Sequence, residues 1–353
     1  DRRGLAGRAV QAVVLVGGLG TRLRPLTADT PKQMLPVVDR PMIEHVVAHL
    51  IGHGVTRVVL SLGFHPEAFT NAYPDGTCVG VPLHYAAEPE PLDTAGAVRF
   101  AAVAAGIDET FLVLNGDVLT DLDVSTMVAG HRASGAMGTI ALTEVDDPSR
   151  YGVVTVAPDD GSVELGDMTQ GRVSGFVEKP PHDEAPSRWI NAGTYVLEPA
   201  VLDRIEAGRR VSIEREVFPA LAAEGRLRAI CSEAYWLDTG TPEAYLQAQT
   251  DLLDGTRARM EPLAATASVA EDAVVDRAVV MSGASVGSGA TVCDAVLMEG
   301  AVVEAGAVVR HSVLGPDARV GRRAEVTGRS LIGRGQVVGD DARVDGALIP
   351  DEG

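Results

Sequence analysis

Apolar positions along this chain follow two different rhythms, and the change falls near residue 262. Before it, short β-branched runs alternate with amphipathic stretches of about ten residues. AVVLVGG (12–18), RVVLSLG (57–63) and FLVLNGD (111–117) read as strands, while Pro41 to Ile51 and residues 95–105 read as helices. Strands separated by helices of that length predict βαβ units and a mostly parallel sheet buried on both faces. Sites on such sheets lie at the carboxyl ends of strands, where Gly17-Gly18 and Asn115-Gly116-Asp117 fall.

Beyond residue 262 the aromatics vanish. Aliphatics recur at Val269, Val275, Val280, Val286, Val292, Leu297, Val303, Val309, Leu314, Val320, Val326, Ile332, Val338 and Val344. The spacing is six, lapsing to five three times, with Gly, Ala, Asp and Ser between. A helix needs 3.6 and a strand needs 2, so neither accounts for six. A parallel β-helix does, with each hexad forming one flat side of a triangular coil and one aliphatic pointing inward. At eighteen residues per coil, residues 264–349 would make roughly four coils. A Val/Ala/Gly-rich linker would not hold valine in register for so long. The repeat resembles the left-handed hexapeptide domain. The chain therefore reads as two domains, 9–258 and 264–349.

Charge narrows the partners. With 49 acidic and 30 basic side chains the 353-residue chain carries −19, which argues against nucleic acid and anionic membrane surfaces. It leaves room for a small anionic substrate held by a few local cations. No window approaches eighteen uninterrupted apolar residues, and residues 1–8 lack the apolar core of a signal peptide. Cys78, Cys231 and Cys293 are odd in number and widely spaced, as expected of reduced thiols in a cytoplasmic protein. The eight histidines show no metal-ligand spacing. The basic residues divide into 28 arginines and two lysines, Lys32 and Lys179.

The strongest local signal is Gly17-Gly18-Leu19-Gly20-Thr21-Arg22. A glycine-rich turn after a strand lets backbone N–H groups approach phosphate oxygens, and an adjacent arginine supplies charge. It is neither a dinucleotide fingerprint, since Leu23 stands where the last glycine would, nor a Walker A loop. Pro31-Lys32-Gln33-Met34, Asn115-Gly116-Asp117, Phe176-Val177-Glu178-Lys179-Pro180, Asn191-Ala192-Gly193-Thr194-Tyr195 and Tyr235-Trp236-Leu237-Asp238-Thr239-Gly240-Thr241-Pro242 follow in order. Taken singly, Asp117 and Asp238 could merely cap turns. Glu178 and Lys179, being adjacent, would face opposite sides of a strand. Arg24 and Arg99 carry no assigned role, and His311 reads as a surface residue.

In order and spacing these six motifs resemble the sugar-1-phosphate nucleotidyltransferase, or nucleotide-sugar pyrophosphorylase, family over about residues 9–255. With the repeat domain behind them, the chain looks most like the two-domain mannose-1-phosphate guanylyltransferases. Ser212-Ile213-Glu214-Arg215-Glu216-Val217-Phe218-Pro219 agrees with that group. The resemblance implies a Rossmann-like α/β domain followed by a left-handed parallel β-helix. It implies that a sugar 1-phosphate attacks the α-phosphorus of a nucleoside triphosphate and pyrophosphate leaves. Leu15, Gly17, Gly18, Gly20, Thr21, Arg22, Lys32, Gln33, Glu88, Asp93, Thr94 and Gly116 would bind nucleotide, with Arg22 and Lys32 on the phosphates. Gly152, Glu178, Lys179, Asn191 and Thr194 would bind the sugar phosphate. Asp117 and Asp238 would share one Mg²⁺. Arg22, Lys32, Asp117, Lys179 and Asp238 would carry catalysis, and a homo-oligomer through the β-helix is implied.

Substrate identity stays open at this level. Guanylyl members usually read PKP where this chain has Pro31-Lys32-Gln33, a pair commoner in thymidylyl and uridylyl relatives. Glu88 offers two acceptors, which match the adjacent N1–H and N2–H₂ donors of guanine. Asp93 stands where the family usually has glycine and would reshape the base or ribose contact. GTP with mannose 1-phosphate is the leading pair. Glucose 1-phosphate or a valienol-type cyclitol 1-phosphate with dTTP, ATP or GTP, and a catalytically silent regulatory subunit, are the alternatives.

Overall fold

The computed structural model describes residues 10–63, 65–157, 162–257 and 259–351. Residues 1–8, read above for a leader, lie outside them. The chain divides into two compact units. One takes the chain up to Gly17 and Val46–Trp236, and the other Gly18–His45 and Leu237–Gly353.

In the first unit, an eleven-stranded sheet is built from β1 (Val10–Leu15), β2 (Val55–Leu62), β3 (Thr77–Cys78), β4 (Val81–Ala87), β5 (Phe111–Asn115), β6 (Gly138–Glu144), β7 (Gly152–Val156), β8 (Val163–Leu165), β9 (Met168–Glu178), β10 (Trp189–Leu197) and β11 (Leu227–Ser232). The order is β7-β9-β11-β6-β10-β5-β1-β2-β4-β3, with β8 on β9. The run β5-β1-β2-β4 is parallel. From β10 onward antiparallel neighbours enter, and only β6–β11 is parallel. Ala12, Val13 and Val14 of β1 are all fully buried, as a strand covered on both faces requires. Helix α3 (Asp93–Ala104), the sequel of α1 (Met42–Gly52) and α2 (Pro66–Ala72), lays Ala95, Val98, Ala101 and Ala102 into that core beside Phe111, Tyr195 and Phe218. Burying Val98 contributes about 1.5–3 kcal/mol, and each alanine methyl about 0.8 kcal/mol. Further along, α4 (Val124–Ser134) is capped by Asp123, which accepts from the Thr126 N–H, and α5 is Phe218–Ala223.

The second unit joins the early segment Gly18–His45 to α6 (Pro242–Asp254) and to three five-stranded parallel sheets from Ser268 to Ile349. The three sheets are the sides of the left-handed β-helix. All fourteen periodic aliphatics pack into its core, and alanines such as Ala284, Ala301 and Ala318 supply a second, smaller inward position. Each sheet has five rungs, more than the four coils expected at eighteen residues each. Successive rungs are seventeen residues apart, as in Val279↔Val296↔Val313. Three coils have one corner shortened to a single left-handed residue, which is why the spacing lapses to five three times. Arg277, Asp294 and His311 occupy that corner with φ of 46°, 47° and 45°.

Candidate active site

At the carboxyl edge of the parallel strands, β1, β2 and β5 end close together. The Leu15 carbonyl accepts from Gly116 N–H at 2.9 Å, and Val16 N–H donates to Ser61 O at 3.1 Å. A methyl group at Gly116 would lie 2.6 Å from Val16 Cγ1, and one at Gly63 would lie 2.9 Å from the Gly17 backbone. The strand ends therefore interlock through glycine backbones, and Asp117 follows at once, half-buried. Gly63 was not picked out by sequence reasoning. Its signal was the glycine closing RVVLSLG, the same ending as the first strand.

Glu88 leaves the end of β4, with its N–H on Leu62 O. One carboxylate oxygen accepts from Ser61 Oγ at 3.2 Å and the other from Leu92 N–H at 3.0 Å. Burial holds its pKa above the usual carboxylate value, against those two hydrogen bonds. Asp93 opens α3 with φ 57°, in the left-handed region. Glycine reaches that conformation without a Cβ penalty, and aspartate tolerates it. Its carboxylate points to Arg210 (3.1 Å) in a surface ion pair. Thr94 accepts from Ile213 N–H at 2.8 Å and donates to Glu214 at 2.7 Å. The Ser212–Val217 motif thus locks the start of α3.

Gly152 of β7 pairs with Glu178 of β9, and a methyl at Gly152 would strike Phe176 and the Glu178 carboxylate at 2.6 and 2.8 Å. Lys179 has φ 49°. This kink undoes the opposite-face rule for adjacent strand residues, and Lys179 Nζ lies 3.4 Å from Glu178 Oε1. The lysine side chain is 59% exposed and the glutamate 19%. Asn191 and Thr194 belong to β10. Between Asn191 and Tyr195 the register against β6 slips, the mark of a bulge, with Gly193 at φ 73°. Asn191 Oδ1 accepts from Gly193 N–H and its Nδ2 donates to Tyr195 OH, both at 2.9 Å. Thr194 is buried, paired with Leu114. Tyr195, missed by sequence reasoning, is held neutral by burial first and then by the carboxylates of Glu214, Glu178 and Asp117. Trp236 donates from Nε1 to Ala192 O at 2.9 Å and closes this corner against Tyr151.

In the second unit the loop from Gly18 turns through Gly20 (φ 61°) into a short 3₁₀ turn, Thr21–Leu23. Thr27 Oγ1 and Leu23 N–H both donate to Gly20 O, at 2.7 and 2.9 Å. Gly18, Leu19 and Gly20 offer N–H groups that have no acceptor among the described residues. Gly18 and Leu19 are exposed, as are Thr21 and Arg22. Lys32 and Gln33 sit in a second 3₁₀ turn, Lys32–Met34, and both are buried. Gln33 Oε1 has no hydrogen-bond partner among the described residues. Asp238 accepts from Gly240 N–H at 2.9 Å, the turn that its capping reading anticipated, and Thr241 caps α6 through Ala244 N–H. A methyl at Gly240 would lie 2.5 Å from Arg22 Nη2 and 2.9 Å from Asp238 Oδ1. Gly240, another residue not picked out as functional, is therefore the small residue that lets Arg22 lie beside the Asp238 turn. The structure brings Arg22 and Asp238 together within this unit, and Glu178 with Lys179 within the other.

Among the described residues no three His, Cys, Asp or Glu side chains form a metal-ligating group, and no helix is long and apolar enough to cross a membrane. The three cysteines are free.

Residues 11–255 match the nucleotidyl transferase family model and residues 262–351 the GMPPB C-terminal domain model. A mannose-1-phosphate guanylyltransferase of Mycobacterium tuberculosis is 40% identical over 254 residues, which cover 71% of this chain and 67% of that relative. A probable mannose-1-phosphate guanylyltransferase of Oryza sativa is 34% identical over 357 residues, 96% of this chain and 95% of the relative. Among solved structures, a UDP-glucose pyrophosphorylase from Acinetobacter baumannii superposes with a TM-score of 0.59 at 27% identity, covering 71% of this chain and 95% of its own. The strand-end glycine lock, the open N–H loop beside an arginine and the full-length match together place the chain in the nucleotidyl transferase family, as a sugar-1-phosphate nucleotidyltransferase.

Proposed function

We propose that this chain joins GTP to mannose 1-phosphate, giving GDP-mannose and pyrophosphate. The observation that carries the reading is the Gly18–Gly20 loop, whose N–H groups have no acceptor among the described residues and whose next charged residue is the exposed Arg22. Such a loop takes phosphate oxygens, and relatives of this architecture at 34–40% identity are named for guanylyl transfer to mannose 1-phosphate.

In this reaction an oxygen of the sugar phosphate forms a bond to the α-phosphorus. The bond from that phosphorus to the β-phosphate oxygen breaks, and pyrophosphate leaves with the electron pair. Catalysis is then positioning and charge neutralisation. Arg22 and Lys32 hold the triphosphate, with Leu15, Gly17, Thr21 and Gly116 shaping the loop around it. Glu88 accepts from guanine. Lys179 grips the sugar phosphate, Glu178 accepts from sugar hydroxyls, and the Gly152 backbone with the Asn191–Thr194 bulge shapes the sugar side. The family generally uses a divalent metal. Asp117 and Asp238 are the proposed carboxylates: each would offer hard oxygen donors which, like those of phosphate, suit Mg²⁺. When bound, that ion neutralises phosphate charge.

Self-association through the β-helix and a cytoplasmic location complete the proposal. Sedimentation of the purified chain tests the first. The reaction is tested by pyrophosphate release from each NTP against mannose, glucose and cyclitol 1-phosphates with Mg²⁺. Release with GTP and mannose 1-phosphate at the highest kcat/KM is expected, and no release with any pair would remove the reading.

A further inference from the structure

The β-helix breaks its own period once. Rungs stand seventeen residues apart until Val313↔Leu331, which is eighteen. The extra residue sits at the corner where the other coils use one left-handed residue; here Gly328 and Arg329 both take positive φ, 68° and 65°. Arg329 reaches Glu243 in the first turn of α6, Nη1 to Oε2 at 2.8 Å. That turn directly follows the Asp238–Gly240 hydrogen bond and the Thr241 cap. A short strand later, Gly333 and Arg334 meet the segment that follows Arg22. A methyl at Gly333 would lie 3.1 Å from Pro25, and Arg334 Nε lies 3.3 Å from Asp29 Oδ2. Pro25 and Asp29 continue the Arg22 turn through Leu26 N–H to Leu23 O and Ala28 N–H to Pro25 O. Beside these contacts the same loop borders a cavity of about 770 Å³ lined by Leu26, Met34, Met260, Met281 and Met298.

We propose that the irregular coil, residues 328–334, is a clamp that holds the Arg22 turn and the Asp238 turn in a fixed relation, with Arg329 and Arg334 as positioning residues for the nucleotide. This rests on the reading that Arg22 and Asp238 serve the nucleotide. The regular corners do different work. Arg277 pairs with Asp254 at the far end of α6 and with Asp294, and His311 also faces Asp294. An inserted residue costs the coil its regularity, and here it extends an arginine to the turn next to Asp238.

The test uses the full-length enzyme. Both ion pairs are solvent-exposed, so R329A/R334A should fold with an unchanged melting temperature. It should raise KM for GTP, and the directly measured Kd for a fluorescent GTP analogue, about tenfold, an estimate for two small displacements of phosphate-binding groups. KM for mannose 1-phosphate should stay within twofold, and the charge swap R329E/E243R should recover GTP affinity over R329E alone. R22A and D238N serve as references. If those two are inactive while R329A/R334A binds GTP like the wild type, the clamp is refuted. A parallel rise in both KM values with a lowered melting temperature would refute it too, by showing a general structural role. If R22A and D238N keep full activity, the nucleotide-site reading itself falls, and the clamp with it.

Discussion

Lys32 and Lys179 are the two ammonium side chains of the sequence, and they are housed in opposite ways. Lys32 is 6% exposed within a 3₁₀ turn, and α6 holds the residues just after that turn through Gln249 to Val38 N–H and Tyr245 to Pro36 O. Lys179 is 59% exposed at a left-handed kink, with Glu178 as its neighbour. A buried ammonium is fixed by packing and acts at a set position. An exposed one on a flexible stem can follow its anion at little structural cost. The difference teaches that the two substrates' phosphates would be met by a rigid cation on one side and a mobile one on the other.

The largest effect should come from Lys32→Met, which keeps the apolar stem and removes the charge. A fall in kcat of about 10²–10³, roughly 3–4 kcal/mol, is expected from losing a preorganised charge. Steady-state kinetics check it, with circular dichroism to show the fold intact. A near-normal kcat would break the contrast between the two lysines. Lys179→Ala should next raise KM for the sugar phosphate about a hundredfold, comparable to one charge-assisted contact of ~3 kcal/mol. The melting temperature should barely move, and an equal rise in KM for the NTP would contradict the assignment. Salt sharpens the same comparison: adding 0.3 M KCl should weaken the sugar-phosphate KM severalfold more than the GTP KM, because exposed charges are screened more than buried ones.

Glu88→Gln asks whether base recognition shares the rigid character of the nucleotide side. KM for GTP should rise about tenfold, the order of one charged hydrogen bond, with selectivity against dTTP or UTP relaxed. The wild-type GTP KM should also rise as pH falls through the elevated pKa of Glu88, because the protonated acid accepts less well from guanine. The glutamine variant should lack that pH limb. The smallest effect belongs to Lys179→Gly against Lys179→Ala. Glycine relieves the left-handed strain, so it should be the more stable of the two by about 1 kcal/mol in thermal unfolding. Both should lose the sugar-phosphate affinity alike.

Much of this was legible in the residues themselves. Fourteen aliphatics spaced by six predicted the β-helix, and each of them packs into its core, because an inward position in a coil has no other way to be buried. The GG and NGD motifs were expected at the carboxyl ends of parallel strands, and they lie there, where β1 and β5 stop side by side. Less was legible where backbone conformation decides direction. Glu178 and Lys179 share a side only because Lys179 is left-handed, and Asp93, left-handed too, turns its carboxylate to Arg210. Asn191 spends both ends of its amide on Gly193 and Tyr195, a use that no local pattern announces.

The sequence by itself determined the two rhythms and the order of the motifs, because periodicity and motif spacing are properties of neighbours along the chain, and the resemblance those motifs carry implied the reaction class. Only the tertiary structure decided that the early segment Gly18–His45 belongs with α6 and the β-helix in one compact unit, that Lys32 is buried while Lys179 is not, and that one eighteen-residue coil turns an arginine toward the helix after Asp238. Those are relations set by burial, by partners from 86 to more than 200 positions apart and by left-handed corners, and a linear pattern holds no record of them.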